Sequence, residues 1–140
     1  MNVPTWTLLG FAAWTLITLL LGVGLVRWRQ ILAGSKRLNE FPADVAHGSP
    51  RYRRAMRAHA NCVENLPVYA AVVLAANAVG ATGGVIDDLA CVYLGARVLQ
   101  TATHVLAEET SSAVGLRFAF FFTQLACVAW MGISVARLAG

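Results

Sequence analysis

The sequence predicts an all-α integral membrane protein, a four-transmembrane-helix bundle in a single domain that covers residues 1–140. The chain is 58% hydrophobic and only 13% charged, whereas soluble domains contain about 25% charged residues. Its mean hydropathy is +0.62. Polar connections separate four apolar runs, each long enough to cross the roughly 30 Å hydrocarbon layer of a bilayer.

The first predicted span is about Trp6 to Val26, a run without a charged residue. Arg27 closes this span, and the polar connection from Gln30 to about Arg53 is punctuated by glycine and proline. We expect the first span to stay in the protein. A cleavable signal peptide has a positively charged start and a shorter apolar run.

Three further spans are predicted, at about Arg54 to Val79, Ile86 to Leu106 and Val114 to Val135. Pro67 lies within the second span and removes one backbone donor, so we expect a kink just after Glu64. The glycine-rich run 80–84 between the second and third spans is typical of a tight turn.

The distribution of basic residues predicts the orientation in the membrane. Eight of the eleven Lys and Arg residues lie between Arg27 and Arg57, and cytoplasmic connections are enriched in these bases. The second connection holds Asp87 and Asp88 and no base. We therefore predict a multi-pass protein with both termini on the non-cytoplasmic side. The basic first connection suits contact with anionic membrane lipid and not a nucleic-acid surface.

The cysteines and the motif content argue against several kinds of site. Cys62, Cys91 and Cys127 each lie in an apolar run, and no C-x-x-C motif occurs. We expect three buried, reduced thiols. The chain has no metal-ligand spacing, phosphate-binding loop or Ser-His-Asp arrangement, so no metal site is expected.

Polar side chains interrupt three of the apolar spans at helical spacing. At 100° per residue, one face of the second span holds four of them within about 80°: Arg54, Arg57, Asn61 and Glu64. One face of the third span holds three more: Arg97, Gln100 and His104. Arg117 enters the fourth span from the same cytoplasmic side. This convergence predicts a polar pocket that opens to the cytoplasm and has apolar walls toward lipid. It suits an anionic ligand with many hydrogen-bonding groups and a partner that arrives through the membrane.

Each polar residue also has a structural interpretation. Glu64 is a candidate for an ion pair with Arg57 or Arg97, because buried charges require partners. Arg51 and Arg53 suit the role of solvated bases that set the topology. Hydrogen bonding between helices or at the interface is the structural alternative for three others: Asn61, His104 and Gln124.

The second span contains the motif Arg57-Ala58-His59-x-Asn61-Cys62-x-Glu64-x-x-Pro67. This motif resembles the signature of the MAPEG family, the membrane-associated proteins in eicosanoid and glutathione metabolism. The upstream run His47-Gly48-Ser49-Pro50 fits the family pattern, as do Arg97 and Arg117 in the later spans. With the four-span layout, the resemblance covers nearly the whole chain.

The resemblance implies a four-helix membrane bundle that assembles as a homotrimer and binds glutathione between neighbouring subunits, near the cytoplasmic leaflet. It implies a glutathione S-transferase that acts on lipophilic electrophiles, with glutathione peroxidase activity as a further option. Arg117 takes the position of the family arginine that stabilises the glutathione thiolate. Glutathione would be the co-substrate, held by seven residues: Arg54, Arg57, Asn61, Glu64, Arg97, Gln100 and His104.

The sequence departs from the family pattern at several positions. Ala60 stands where some members have another arginine, and His104 stands where tyrosine is common. Phe118 and Phe121 stand where some members have serine and tyrosine. The aromatic run 120–122 in place of hydroxyls favours a second hypothesis, a non-catalytic membrane protein that binds a lipid head group or a partner's helix on the same scaffold.

Overall fold

The computed structural model describes residues 1–42, Val45 and 47–139. These residues form four long helices, α1 (Val3–Leu32), α2 (Pro50–Ala78), α3 (Val85–Leu106) and α4 (Ser111–Ala139). A short 3₁₀ turn, Leu38–Glu40, lies in the first connection, and no strand occurs within the described ranges. The predicted all-helical, four-helix fold is confirmed.

The start of α1 is fixed by Asn2 and tied to the end of α2. The Asn2 side chain accepts a hydrogen bond from the Thr5 backbone N–H at 3.0 Å, as expected of an N-cap residue. Its Nδ2 also donates to Asn77 Oδ1 at 2.7 Å. The N-terminus of α1 therefore lies beside the C-terminus of α2, and the two helices run antiparallel.

Helix α1 changes geometry in its middle. Residues Thr18–Gly24 are π-helical, and the helix then continues in α geometry to Leu32. Gly22 lies in this π segment, where a Cβ atom would come within 3.2 Å of the Ala55 Cβ on α2. Glycine at this position permits the close approach of α1 and α2.

Helix α2 begins earlier than the sequence analysis predicts and continues through its proline. Ser49 caps it by accepting a hydrogen bond from the Tyr52 backbone N–H at 3.2 Å, and Pro50 occupies the first turn, where its missing N–H costs nothing. The helix runs through Pro67 without a break. The kink expected just after Glu64 stays a prediction.

The predicted turn between α2 and α3 is present and begins at Gly80. The Ala81 backbone N–H donates to the Ala76 carbonyl at 2.8 Å, and the Gly80 N–H donates to the Asn77 carbonyl at 3.2 Å. This pair of bonds closes a Schellman motif, which requires a left-handed residue after the helix. Gly80 provides that conformation with φ 67°.

Aromatic rings form the centre of the bundle. Tyr69 of α2 and Tyr93 of α3 stack with ring centroids 3.9 Å apart. Phe11 of α1 packs against both at 6.1 and 5.8 Å, and the Tyr69 hydroxyl shares a 2.7 Å hydrogen bond with Thr7. The contribution of α4 to this core comes from three buried residues: Cys127, Met131 and Val135.

Helices α1 and α4 are long and apolar enough to cross a membrane. Helices α2 and α3 carry more polar residues, and their lengths of 29 and 22 residues correspond to roughly 43 and 33 Å at about 1.5 Å per residue. Large apolar side chains are exposed on all four helices, including Leu9, Leu74, Leu99 and Ile133. Such an apolar surface is what a lipid environment or further copies of the chain would cover.

The cysteine prediction is right for two residues and wrong for the third. Cys62 and Cys127 are buried, whereas Cys91 is exposed on α3. An outward position in a membrane helix is as apolar in sequence as a core position, because both avoid water. The apolar run around Cys91 therefore does not indicate whether its side chain is buried in the bundle.

Candidate functional site

A buried arginine lies between α1, α2 and α3. Arg97 is fully buried, and its guanidinium carbon lies 5.2 Å from the Phe11 ring centroid and 5.9 Å from that of Tyr93. These distances are typical of cation–π contacts. Its Nη1 donates to Asn61 Oδ1 and, at 2.9 Å, to Gln100 Oε1. Nε and Nη2 have no hydrogen-bond partner in the described part of the chain.

Gln100 connects this arginine to α4. Its Oε1 accepts hydrogen bonds from Arg97 Nη1 at 2.9 Å and from Gln124 Nε2 at 3.1 Å. Its Nε2 donates to the Arg117 backbone carbonyl at 3.1 Å. The amide is thus held at both ends, which sets the orientation of its side chain and ties α3 to the start of α4.

A cavity of about 360 Å³ adjoins this network at Asn61 and Gln100 and is called the inner cavity here. It has a polar side of amide, imidazole and guanidinium groups and an apolar side of valine and phenylalanine. Seven residues line it: Asn61, Gln100, His104, Val114, Arg117, Phe118 and Phe121.

Arg117 gives the inner cavity its positive charge. Its side chain is partly buried, and Nε and Nη2 are inaccessible to solvent with no hydrogen-bond partner among the described residues. No carboxylate within the described ranges forms a salt bridge with Arg117 or with Arg97 behind the cavity. Buried N–H donors of a permanent cation require an acceptor, so this cavity favours an anionic ligand.

A second, wider cavity of about 550 Å³ lies one helical turn from the first along α2, and is called the basic mouth here. Arg57 and Glu109 form a salt bridge across it at 3.0 Å, with side chains that are 60% and 55% exposed. Arg54 Nε donates to the Val105 carbonyl at 3.5 Å. The lining residues are Pro50, Arg53, Arg54, Arg57, Glu108 and Glu109.

The structure brings most of the predicted site residues together. Four of them line the inner cavity: Asn61, Gln100, His104 and Arg117. Arg97 lies behind it, and Arg54 and Arg57 line the basic mouth. Glu64 is exposed on α2 and lines neither cavity. The ion pair considered for it is absent within the described residues, where Arg57 pairs with Glu109 instead.

Two contributors to the site were missed in the sequence analysis, and one was interpreted correctly. Glu109 is not among the predicted site residues, although its acidic side chain lies in a connection on the same side as the basic run. Tyr93 lies one turn before Arg97, a spacing that places a ring beside a guanidinium on one helix face. Gln124 forms the interhelical hydrogen bond predicted for it. No three His, Cys, Asp or Glu residues in the described part of the chain group closely enough to hold a metal ion.

The model of the MAPEG family matches residues 4–137, nearly the whole chain. No curated protein matches the chain.

Proposed function

Because the chain belongs to the MAPEG family, we propose that it is a membrane-bound glutathione S-transferase that acts on lipophilic electrophiles. The family includes glutathione transferases and related proteins. The observation that carries the proposal is that Arg117 lines the inner cavity while its buried Nε and Nη2 lack an acceptor among the described residues.

The two cavities suit the two kinds of group on glutathione. Its carboxylates are matched by Arg54 and Arg57 at the basic mouth, because guanidinium groups bind carboxylates through paired hydrogen bonds. Its peptide groups are matched in the inner cavity by Asn61 and His104, which offer donors and acceptors, and by the second N–H of Gln100 Nε2, because Gln100 Oε1 already accepts two hydrogen bonds. Arg97 acts from behind by fixing the Asn61 and Gln100 side chains.

The chemistry requires the thiolate form of glutathione, because the thiolate is the nucleophile. A guanidinium beside the sulfur in a cavity of low dielectric favours the charged form and lowers the thiol pKa. Arg117 cannot accept the proton, because arginine stays charged in proteins, so the proton leaves to water at the basic mouth. The sulfur then forms a bond to the electrophilic carbon, and the leaving group departs with the electron pair of the broken bond.

The apolar side of the inner cavity suits the second substrate. Val114, Phe118 and Phe121 form this wall, and Phe118 is exposed on the outer surface of α4. An apolar electrophile dissolved in the membrane reaches such a wall without crossing water, and the cavity holds it beside the sulfur. A lipid hydroperoxide is a further class of electrophile for the same thiolate.

The proposed assembly is a homotrimer with the site near the cytoplasmic leaflet. Members of the MAPEG family bind glutathione and form trimers. Glu64 supports this arrangement, because its exposed carboxylate lacks an ion-pair partner in the described part of the chain. A charged group at this depth of a membrane helix is expensive unless a ligand or a neighbouring subunit contacts it.

One observation favours the rival function of a non-catalytic lipid- or partner-binding protein. None of the seven residues that line the inner cavity carries a hydroxyl group. A thiolate in this cavity would therefore depend on Arg117 alone among the strong donors, whereas an apolar chain would pack against the phenylalanines without further help.

A glutathione titration with a conjugation assay separates the two functions. The detergent-solubilised full-length protein is titrated with glutathione, and turnover of a lipophilic electrophile is then measured for the parent, Arg117→Ala and Arg137→Ala. Arg137 is the matched control, because it is an exposed arginine in the last turn of the same helix. Saturable binding with turnover that only Arg117→Ala abolishes supports the transferase. A parent protein that neither binds nor turns over glutathione rules the transferase out.

A further inference from the structure

A groove on α1 shares no lining residue with the inner cavity or the basic mouth. It consists of two adjoining cavities of about 300 and 290 Å³ between α1, α2 and α3, and we call it the α1–α2 groove. The residues common to both cavities are Leu21, Gly22, Arg51, Ala55 and Val105.

The π segment of α1 forms one wall of this groove. Thr18, Leu21 and Gly22 belong both to the π-helical stretch and to the lining. A π segment accommodates an extra residue per turn and is often found at functional sites. Leu21 is 61% exposed, so the groove opens sideways toward the surroundings of the bundle.

The groove is basic at one end and apolar along its length. Arg29 lies at the basic end, Arg51 lines both cavities where they adjoin, and neither has a salt bridge within the described ranges. Arg27 contrasts with them, because its Nε donates to the Tyr52 hydroxyl at 2.8 Å. From Leu21 to Trp14 the lining is mainly apolar, and the hydroxyls of Thr18 and Thr101 within it donate to backbone carbonyls of their own helices.

We propose that the α1–α2 groove binds an anionic phospholipid, with its phosphate at Arg29 and Arg51 and one acyl chain against Leu21 and Trp14. Basic pockets between membrane helices are suited to anionic lipid head groups. From Trp14 to Arg29 the groove extends roughly 22 Å along α1, at about 1.5 Å per residue. One leaflet contributes about 15 Å of hydrocarbon, so a chain and its head group fit this length.

Charge also favours lipid over a second copy of the chain at this surface. A second copy packed here would have to bury Arg29 and Arg51, and buried cations require counter-ions. A phosphate provides the counter-ion and leaves the chain in the apolar part of the groove.

Native mass spectrometry of the full-length protein in detergent tests the head group. Phosphatidylglycerol, phosphatidylcholine with the same chains, and a free fatty acid of equal chain length are added separately. Phosphatidylglycerol is expected to bind most tightly. Its affinity should fall by about fivefold for each arginine that is removed by Arg29→Gln and Arg51→Gln. Arg37→Gln, an exposed arginine of the same connection, should leave binding unchanged. Equal binding of phosphatidylcholine overturns the proposal, and tighter binding of the fatty acid assigns the site to a carboxylate and overturns the phospholipid.

A second pair of variants tests the groove itself. Leu20 and Leu21 are both 61% exposed in the same π segment, but only Leu21 lines the groove. Leu21→Trp should fill the groove and reduce phosphatidylglycerol binding at least severalfold, whereas Leu20→Trp should not. Equal effects of the two variants overturn the site. A change of oligomeric state in Leu21→Trp with unchanged lipid binding shows that the groove is a contact between copies. If Leu21→Trp does not fold, phosphatidylglycerol binding to the Arg29→Gln and Arg51→Gln variants tests the site instead.

Discussion

Arg97 and Gln124, on different helices, donate hydrogen bonds to the same atom, Gln100 Oε1, at 2.9 and 3.1 Å. Through this shared acceptor, the buried cation on α3 is connected to α4. Gln100 Nε2 extends the connection to the Arg117 carbonyl. The backbone of the residue that we assign to thiolate stabilisation is therefore fixed by the same network that accepts hydrogen bonds from Nη1 of the buried arginine.

Removing Gln100 should destabilise the bundle. Gln100→Ala removes one of the two acceptors of Arg97 Nη1 and of Gln124 Nε2, and each buried N–H left unsatisfied costs about 1–3 kcal/mol. We expect a lower unfolding temperature in detergent, measured by circular dichroism. Gln30→Ala is the matched control, because the Gln30 side chain has no hydrogen bond to the described residues. If both variants unfold at the same temperature as the parent, the network does not stabilise the fold.

The polar network could be located from the sequence because charged and amide residues are rare in apolar helices. Asn61, Gln100 and Arg117 interrupt apolar runs, and helical spacing predicts which face each occupies. Since burying such groups without partners is unfavourable, their convergence in space followed from the fold class. The sequence also contains a signal for the start of α2, the Ser49-Pro50 cap. The predicted start at about Arg54 is too late because a run of bases follows Pro50.

Other features could not be predicted because the sequence carries no local signal for them. The π segment of α1 lies in a leucine-rich run that is apolar on every side, so periodicity does not distinguish its geometry. The pairing of Arg57 with Glu109 joins residues 52 positions apart, and other acids were equally available. The exposure of Cys91 depends on which face of α3 turns outward, and both faces are apolar there.

The Arg57–Glu109 salt bridge provides a test of the basic mouth. Both side chains are more than half exposed, so breaking the pair should change stability by less than about 1 kcal/mol. If Arg57 binds a glutathione carboxylate, Arg57→Ala should weaken glutathione binding about tenfold or more, since a charge-assisted contact is worth roughly 1.5–3 kcal/mol. Glu109→Gln should maintain or strengthen binding, because it releases Arg57. Isothermal titration calorimetry on the two variants measures this, and equal weakening by both would remove Arg57 from the binding site.

Glu64 and the oligomeric state form a third prediction. The parent protein should be a homotrimer in mild detergent, as measured by light scattering coupled to size-exclusion chromatography. A monodisperse monomer that retains its helical circular dichroism would contradict this.

Glu64→Gln keeps the size of the side chain and removes its charge. It should weaken glutathione binding about tenfold while leaving the trimer intact, because a ligand contact and not a subunit contact is lost. A variant that dissociates but binds glutathione normally would reassign Glu64 to the subunit interface.

The last prediction concerns the thiol of bound glutathione. Arg117 lines the inner cavity, its Nε and Nη2 have no hydrogen-bond partner among the described residues, and a nearby cation favours the thiolate. The bound thiol should therefore ionise below the ordinary thiol pKa of about 8.5. A loss of one to two pKa units corresponds to about 1.4 kcal/mol per unit, which is measurable near neutral pH.

The measurement is the ultraviolet absorbance of the thiolate in the complex as a function of pH. The parent should show thiolate at neutral pH, and Arg117→Ala should move the titration back toward the free-thiol value. Arg117→Lys should be intermediate, because it keeps the charge but loses the planar pair of donors. Arg137→Ala, at the other end of α4, should titrate like the parent. Identical curves for the parent and Arg117→Ala would refute thiolate stabilisation by this residue. A parent protein that binds glutathione without lowering the pKa of its thiol would instead favour the non-catalytic function. In that case Arg117 would lie beside the bound ligand without stabilising a thiolate.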